Sequence, residues 1–145
     1  MRKQWDTEKK LYTLCILTED TPGILSQVAR LFSRKGYNIE SIVSGATDRP
    51  HTARISIELL ADELVVNQLA TQCRRLLGVQ AVKIFDEETC IRREIALIKV
   101  RAADHGTRDE IIQMTNIFRG HIIDVDKESL TVWVFGSQSK NAALI

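Results

Sequence analysis

The stretch LYTLCILTEDTPGILSQVARLFSRKGYNIESIVSG, residues 11–45, decides the fold. Its opening, LYTLCIL (11–17), is a short apolar run bounded by polar residues and reads as a buried strand. Residues 24–35 then place Ile24, Leu25, Val28, Ala29, Leu31 and Phe32 at helical spacing. Ser26, Gln27, Arg30, Ser33 and Arg34 fill the opposite side, so the segment predicts an amphipathic helix. Gly36 stands where a helix ends, and YNIESIVSG (37–45) is rich in β-formers and predicts a second strand.

Outward from this stretch the pattern continues. TDRPH (47–51) is a turn, because Pro50 is barred from a strand interior. ARISIEL (53–59) alternates, with Ala53, Ile55, Ile57 and Leu59 on one face and Arg54, Ser56 and Glu58 on the other. Residues 62–77 carry Val65, Leu69, Cys73, Leu76 and Leu77 at helical spacing, Gly78 closes that helix, and VQAVKIF (79–85) is a fourth strand. Two βαβ units in this order predict an α+β, ferredoxin-like βαββαβ domain over residues 11–86, preceded by an N-terminal tail at 1–10. After the charged connector DEETC (86–90), a second unit occupies residues 87–145. REIALIKVRA (93–102) is a strand. GTRDEIIQMTNIF (106–118) is a helix whose Thr107 and Glu110 have capping-box spacing. GHIIDV (120–125) and LTVWVF (130–135) are strands, and another helix begins at 138. This predicts a second ferredoxin-like unit cut before its last strand. The closing SKNAALI has no cap and no closing strand, so the natural protein or its fold is expected to continue past Ile145.

Composition narrows the function. The chain has 145 residues, is 44% hydrophobic and 27% charged, and is not disordered by composition. Twenty basic and 19 acidic residues leave a net charge of +1, which offers no electrostatic case for nucleic acid or an anionic membrane. No apolar run is long enough to span a bilayer, and the polar start MRKQWDTEKK is not a signal peptide. Cys15, Cys73 and Cys90 are odd in number and widely spaced, which suits reduced thiols in the cytoplasm. His51, His105 and His121 have no metal-ligand spacing, and no Ser or Cys sits in a nucleophile elbow. The strand ARISIEL has no aromatic on which a base would stack, which argues against RNA recognition. Nothing here proposes catalysis.

Two readings stand for the corner EDTPGIL (19–25). Thr21 suits an N-cap and Pro22 the first helical position. Gly23 is a poor residue for a first helical turn, at about 1 kcal/mol against Ala. What it supplies is access to backbone N–H groups that have no helical partner and can receive a carboxylate or phosphate. Asn38, at the entry to the second strand, reads either as a local capper or as a second polar half-site. A helix of about 12 residues is roughly 18 Å long, so within one chain Asp20 and Asn38 would not meet one small ligand, whereas two copies could bring them together.

EDTPGILSQVARLFSRKGYNIESI (19–42) resembles the opening of an ACT domain, a ferredoxin-like module that binds amino acids. LFSRKGYNIESI, REIALIKV and IFRGHIIDV are similar, in this order, to stretches of the small regulatory subunits of acetolactate synthase (acetohydroxyacid synthase), and the likeness runs from about residue 11 to 140. The resemblance implies an effector site at an ACT–ACT homodimer interface. One chain would give Asp20, Thr21, Pro22, Gly23, Ile24 and Leu25, and the partner Asn38 and Ile39. It implies a branched-chain amino acid as effector, chiefly valine, with its carboxylate near the amides of Gly23 and Ile24. The ammonium would go to Asp20 or the Asn38 oxygen, and the side chain against Ile24, Leu25 and Ile39. Many members look to carry Asn where this chain has Asp20. An Asp holds an ammonium more strongly and repels a nearby carboxylate.

The resemblance also implies no cofactor and no metal in this chain, and no catalysis by it. The partner would be a large catalytic subunit that uses thiamine diphosphate, Mg²⁺ and FAD. This chain would activate it and make it sensitive to feedback. Two other readings compete. A stand-alone amino-acid-sensing ACT regulator would share the site and differ in its partner. A ferredoxin-like acyl phosphatase would need an Arg cradle near the first loop, and TEDTPG has none.

Overall fold

The computed structural model describes residues 9–145, so the tail expected at 1–10 lies outside the described residues up to position 8, and β1 already begins at Lys10. The chain divides between Cys90 and Ile91 into two compact units.

The first unit runs β1 (Lys10–Glu19), α1 (Ile24–Lys35), β2 (Ser41–Ala46), β3 (Thr52–Ala61), α2 (Glu63–Cys73) and β4 (Val79–Phe85). Its sheet has the order β2-β3-β1-β4, and every neighbouring pair is antiparallel. The register aligns apolar residues on one face: Leu14 lies opposite Ile57 and Ile84, and Ile16 opposite Ile55 and Val82. Val28, Leu31 and Phe32 of α1 and Val66, Leu69, Ala70 and Cys73 of α2 join them in one buried cluster. Phe32 is fully buried there, and its truncation to Ala would cost about 3–5 kcal/mol. The opposite face presents Cys15, Leu17, Arg54, Ser56 and Val43.

Of the boundaries that differ from the sequence expectation, three have a plain physical reason. β2 starts at Ser41, not at 37. Gly36 is left-handed at φ 71°, and the Gly36 and Tyr37 amides donate to Ser33 O at 3.1 Å and Phe32 O at 3.2 Å. That closes α1 in a Schellman-type turn. Tyr37 and Ile39 then pack against the core from a loop, so their alternation imitates a strand. α2 stops at Cys73 rather than at 77. Leu76 N–H turns back to Cys73 O at 3.1 Å, and Leu77 is left exposed. α3 is capped by Asp104, not Thr107: Asp104 Oδ1 accepts the Thr107 N–H at 2.8 Å and Oδ2 the Thr107 hydroxyl at 2.7 Å.

The second unit contains β5 (Glu94–Arg101), α3 (His105–Ile117), β6 (His121–Val125), β7 (Ser129–Gly136) and α4 (Gln138–Leu144). Its antiparallel sheet, β5-β7-β6, has the same path as β1, β3 and β2 of the first unit. Leu130, Val132 and Val134 of β7 are buried. The ends of α1 and α3 close alike. Arg119, at φ 53°, takes the place of Gly36, and the Arg119 and Gly120 amides donate to Asn116 O and Thr115 O. Gly120 is needed for a different reason: a Cβ there would lie 2.9 Å from the Trp133 carbonyl oxygen.

Candidate effector site

The end of β1 is tied to its neighbours before the chain turns. Glu19 N–H donates to Gly78 O at 2.8 Å, and Asp20 N–H donates to His51 O at 2.9 Å. Thr21, Pro22 and Gly23 then form a tight corner, and α1 begins at Ile24. The N-cap is Gly23, at φ 87° and ψ −8°, with no side-chain cap. The expectation that Thr21 caps the helix and Pro22 opens it is therefore corrected. The corner enters α1 through a left-handed residue, a conformation that L side chains rarely adopt. Gly23 is thus outside the helix, and its helix propensity is not the reason for it.

The corner leaves donors open. Gly23 O accepts the Gln27 N–H at 3.0 Å, and Ile24 N–H makes only a long bond to Thr21 O at 3.4 Å. Among the described residues, the amides of Gly23, Leu25 and Ser26 have no hydrogen-bond partner. They sit at the positive end of the α1 dipole. Asp20, Thr21, Pro22 and Gly23 are exposed, and a Cβ built on Gly23 meets nothing within 4 Å. Leu25 is 41% exposed, whereas Ile24 is 7% exposed and turned into the core. The Ile24 side chain is therefore withdrawn from the expected apolar wall, and only its backbone faces the corner.

Asn38 and Ile39 lie beyond the other end of α1, in the loop before β2. Asn38 is exposed, and its Nδ2 donates to Glu40 Oε1 at 2.8 Å. This leaves Oδ1 free to accept. Ile39 is half-buried against the core. The 12 residues of α1 separate this loop from the corner by roughly 18 Å of helix. One chain thus holds two open polar regions, one at each end of α1, and does not bring them together. Their chemistry is complementary to an α-amino acid: free amides for a carboxylate, Asn38 Oδ1 and the Asp20 carboxylate for an ammonium, and Leu25 with Ile39 as apolar surface. Sequence reasoning missed Glu40, which orients Asn38, and His51, which anchors the corner through a main-chain bond.

Among the described residues no group of three or more His, Cys, Asp or Glu is placed to hold a metal ion. Burial pushes the Cys73 thiol up to about 11, against the pull of the neighbouring Arg74 charge. That thiol is a core residue, unsuited to nucleophilic work.

The βαββαβ first unit with its open corner defines an ACT-domain protein, followed by a second unit of related topology. Residues 14–81 match the model of the AHAS small subunit-like ACT domain, and residues 93–145 match that of the small subunit of acetolactate synthase. The acetolactate synthase small subunit of Mycobacterium bovis is 43% identical over 136 residues, which is 94% of this chain and 80% of that protein. The probable acetolactate synthase small subunit of Methanothermobacter thermautotrophicus is 39% identical over 140 residues, 97% of this chain and 83% of the relative. The crystal structure of the Thermotoga maritima acetolactate synthase small subunit superposes with a TM-score of 0.86 at 36% identity, covering 93% of this chain and 84% of that one. The chain belongs to the family of acetolactate synthase small subunits.

Proposed function

We propose that this chain is the regulatory, non-catalytic subunit of a cytoplasmic acetolactate synthase and that it senses a branched-chain amino acid. Two copies pair through their ACT units. Valine, or a close relative, binds where the Asp20–Leu25 corner of one protomer meets Asn38 and Ile39 of its partner. The observation that carries this reading is the division of one amino-acid-shaped set of contacts between the two ends of α1. Each half is exposed and incomplete. β2 supports it as one of the two edge strands of its sheet, paired on one side only, with Val43 65% exposed. Such an edge can continue a sheet into a second copy.

The site performs no reaction. The large catalytic subunit, with thiamine diphosphate, Mg²⁺ and FAD, carries the chemistry, and this chain raises its activity and confers feedback inhibition. Effector binding and subunit contact are linked by a coupling of about 1–3 kcal/mol, or roughly 5–150-fold in affinity. Isothermal titration with valine, leucine and isoleucine, alongside an activity assay with the cognate large subunit, tests this. Saturable binding of at least one of them, with activation that it reverses, is expected. Absence of both binding and activation refutes it.

A further inference from the structure

We propose that the first unit carries a second binding site, on the sheet face away from the helices, for a small organic oxyanion: a carboxylate or phosphate on a short apolar stem. The site is a hollow of about 530 Å³ beside the β2–β3 hairpin, in the size range of small-molecule sites.

The sheet register builds it. Arg54 on β3 lies opposite Leu17 on β1 and Gly45 on β2, while Val43 lies opposite Ser56. The row Leu17–Arg54–Gly45 therefore ends in a residue with no side chain. A Cβ placed on Gly45 would meet nothing within 4 Å, and its backbone is not in the left-handed region. Neither conformation nor crowding requires glycine there, and glycine weakens a strand interior. Its remaining use is to let another group approach the backbone closely. Arg54 borders that bare patch.

Arg49 overhangs the hollow from the hairpin turn, and the turn is held in place. Arg49 N–H donates to Thr47 Oγ1 at 3.2 Å, Thr47 Oγ1 donates to Thr52 O at 3.0 Å, and Thr47 N–H donates to the same oxygen at 2.9 Å. Neither the Arg49 nor the Arg54 guanidinium has a hydrogen-bond or ion-pair partner among the described residues. Asp48 also lines the hollow, so two positive charges face one negative charge. Guanidinium forks match carboxylate and phosphate oxygens in bidentate geometry. Leu17 and Val43 offer apolar surface for a stem. The hairpin also reaches the effector corner through the Asp20 N–H to His51 O bond, yet the two sites share no lining residue.

The test is an NMR titration of the isotopically labelled full chain, once with methyl phosphate and once with pyruvate, at matched ionic strength. Saturable shifts at Gly45, Arg49 and Arg54 are expected with at least one probe, and the tighter probe identifies the source of the oxyanion. Arg49→Gln and Arg54→Gln are surface changes and should each weaken binding about tenfold or more. Gly45→Val should block it by filling the floor. The response to valine should survive all three, which separates this site from the proposed effector site. No saturable shift below about 20 mM overturns the proposal. So does binding unchanged in the Arg49→Gln/Arg54→Gln double variant. Shifts produced only by the cognate large subunit would reassign the hollow to a protein contact and equally overturn it.

Discussion

Gly23→Asp separates the structural and the binding roles of the corner. At φ 87° any side chain is strained, but Asp and Asn tolerate the left-handed region best, and a Cβ there meets no atom within 4 Å. The stability cost should therefore be about 1 kcal/mol, a fall in Tm of roughly 4–8 °C for a unit of this size. The binding cost should be larger. The new carboxylate would stand beside the open amides of Leu25 and Ser26, where the effector carboxylate is proposed to dock. Two such charges about 5 Å apart repel by about 3 kcal/mol at an effective dielectric constant of 20, and by about 1 kcal/mol when the site is wetter. Excluded volume adds to this. Valine affinity should fall by about tenfold to a hundredfold, with a matching loss of feedback in the reconstituted enzyme. Gly23→Asn is the control: similar size and backbone tolerance without the charge, so a similar Tm and a smaller loss of affinity. Calorimetric titration and a thermal melt on the same samples measure both quantities. If Gly23→Asp binds valine as tightly as the parent chain, the carboxylate does not dock at this corner.

Asn38→Ala removes the free Oδ1 acceptor and releases Glu40 from its 2.8 Å bond. Effector affinity should fall about tenfold while Tm hardly moves, because Asn38 is exposed; unchanged titration curves would remove Asn38 from the site. Asp104→Ala deletes the cap of α3 and should lower the melting temperature at neutral pH. The bonds from Thr107 hold the Asp104 carboxyl below its ordinary range. Its contribution is present above the unfolded value and lost as pH falls through the folded one, so the gap between variant and parent should close in acid. Cys73 should resist thiol reagents at pH 8 until denaturant is added, while Cys15 and Cys90 react. Its thiol ionises near 9.0 when unfolded and near 11 when folded, so burial stabilises the fold fully below pH 9 and progressively less as pH rises towards 11. Equal labelling rates for all three cysteines would contradict that burial.

Element order, sheet class and core residues were legible because each rests on a periodicity that burial enforces. Ala53, Ile55, Ile57 and Leu59 alternate in the sequence and are buried in the structure; Val28, Leu31 and Phe32 recur at helical spacing and are buried likewise. Element ends were less legible, because a cap depends on backbone angles that several residues permit. DTPG suits a Thr21 cap as well as a left-handed Gly23, and ADHGT suits Asp104 as well as Thr107. The corner was found from its residue types, with Gly23 assigned a propensity cost that it does not pay. The Arg49–Arg54 hollow was not found. It depends on which residue of β2 faces which residue of β3, and that register is a long-range property. A Gly inside a strand opposite an Arg was the only trace of it in the sequence.

The proposed dimer has one further consequence. If the corner of one protomer meets the Asn38 loop of its partner, the start of one α1 must approach the end of the other, and by two-fold symmetry the reverse contact forms as well. The two helices then run antiparallel. The positive end of one dipole faces the negative end of its neighbour, each equivalent to about half an elementary charge. An α-amino acid placed between them is a zwitterion in a matching field, with its carboxylate toward the amides of Gly23, Leu25 and Ser26 and its ammonium toward Asn38 Oδ1. Arg34 and Lys35, in the last turn of α1, would lie near the ammonium end and weaken that half of the field. Asp20 is an acid brought by the other protomer to the same place. In this arrangement it offsets those cations locally, which gives a reason for an acidic residue at a corner proposed to receive a carboxylate.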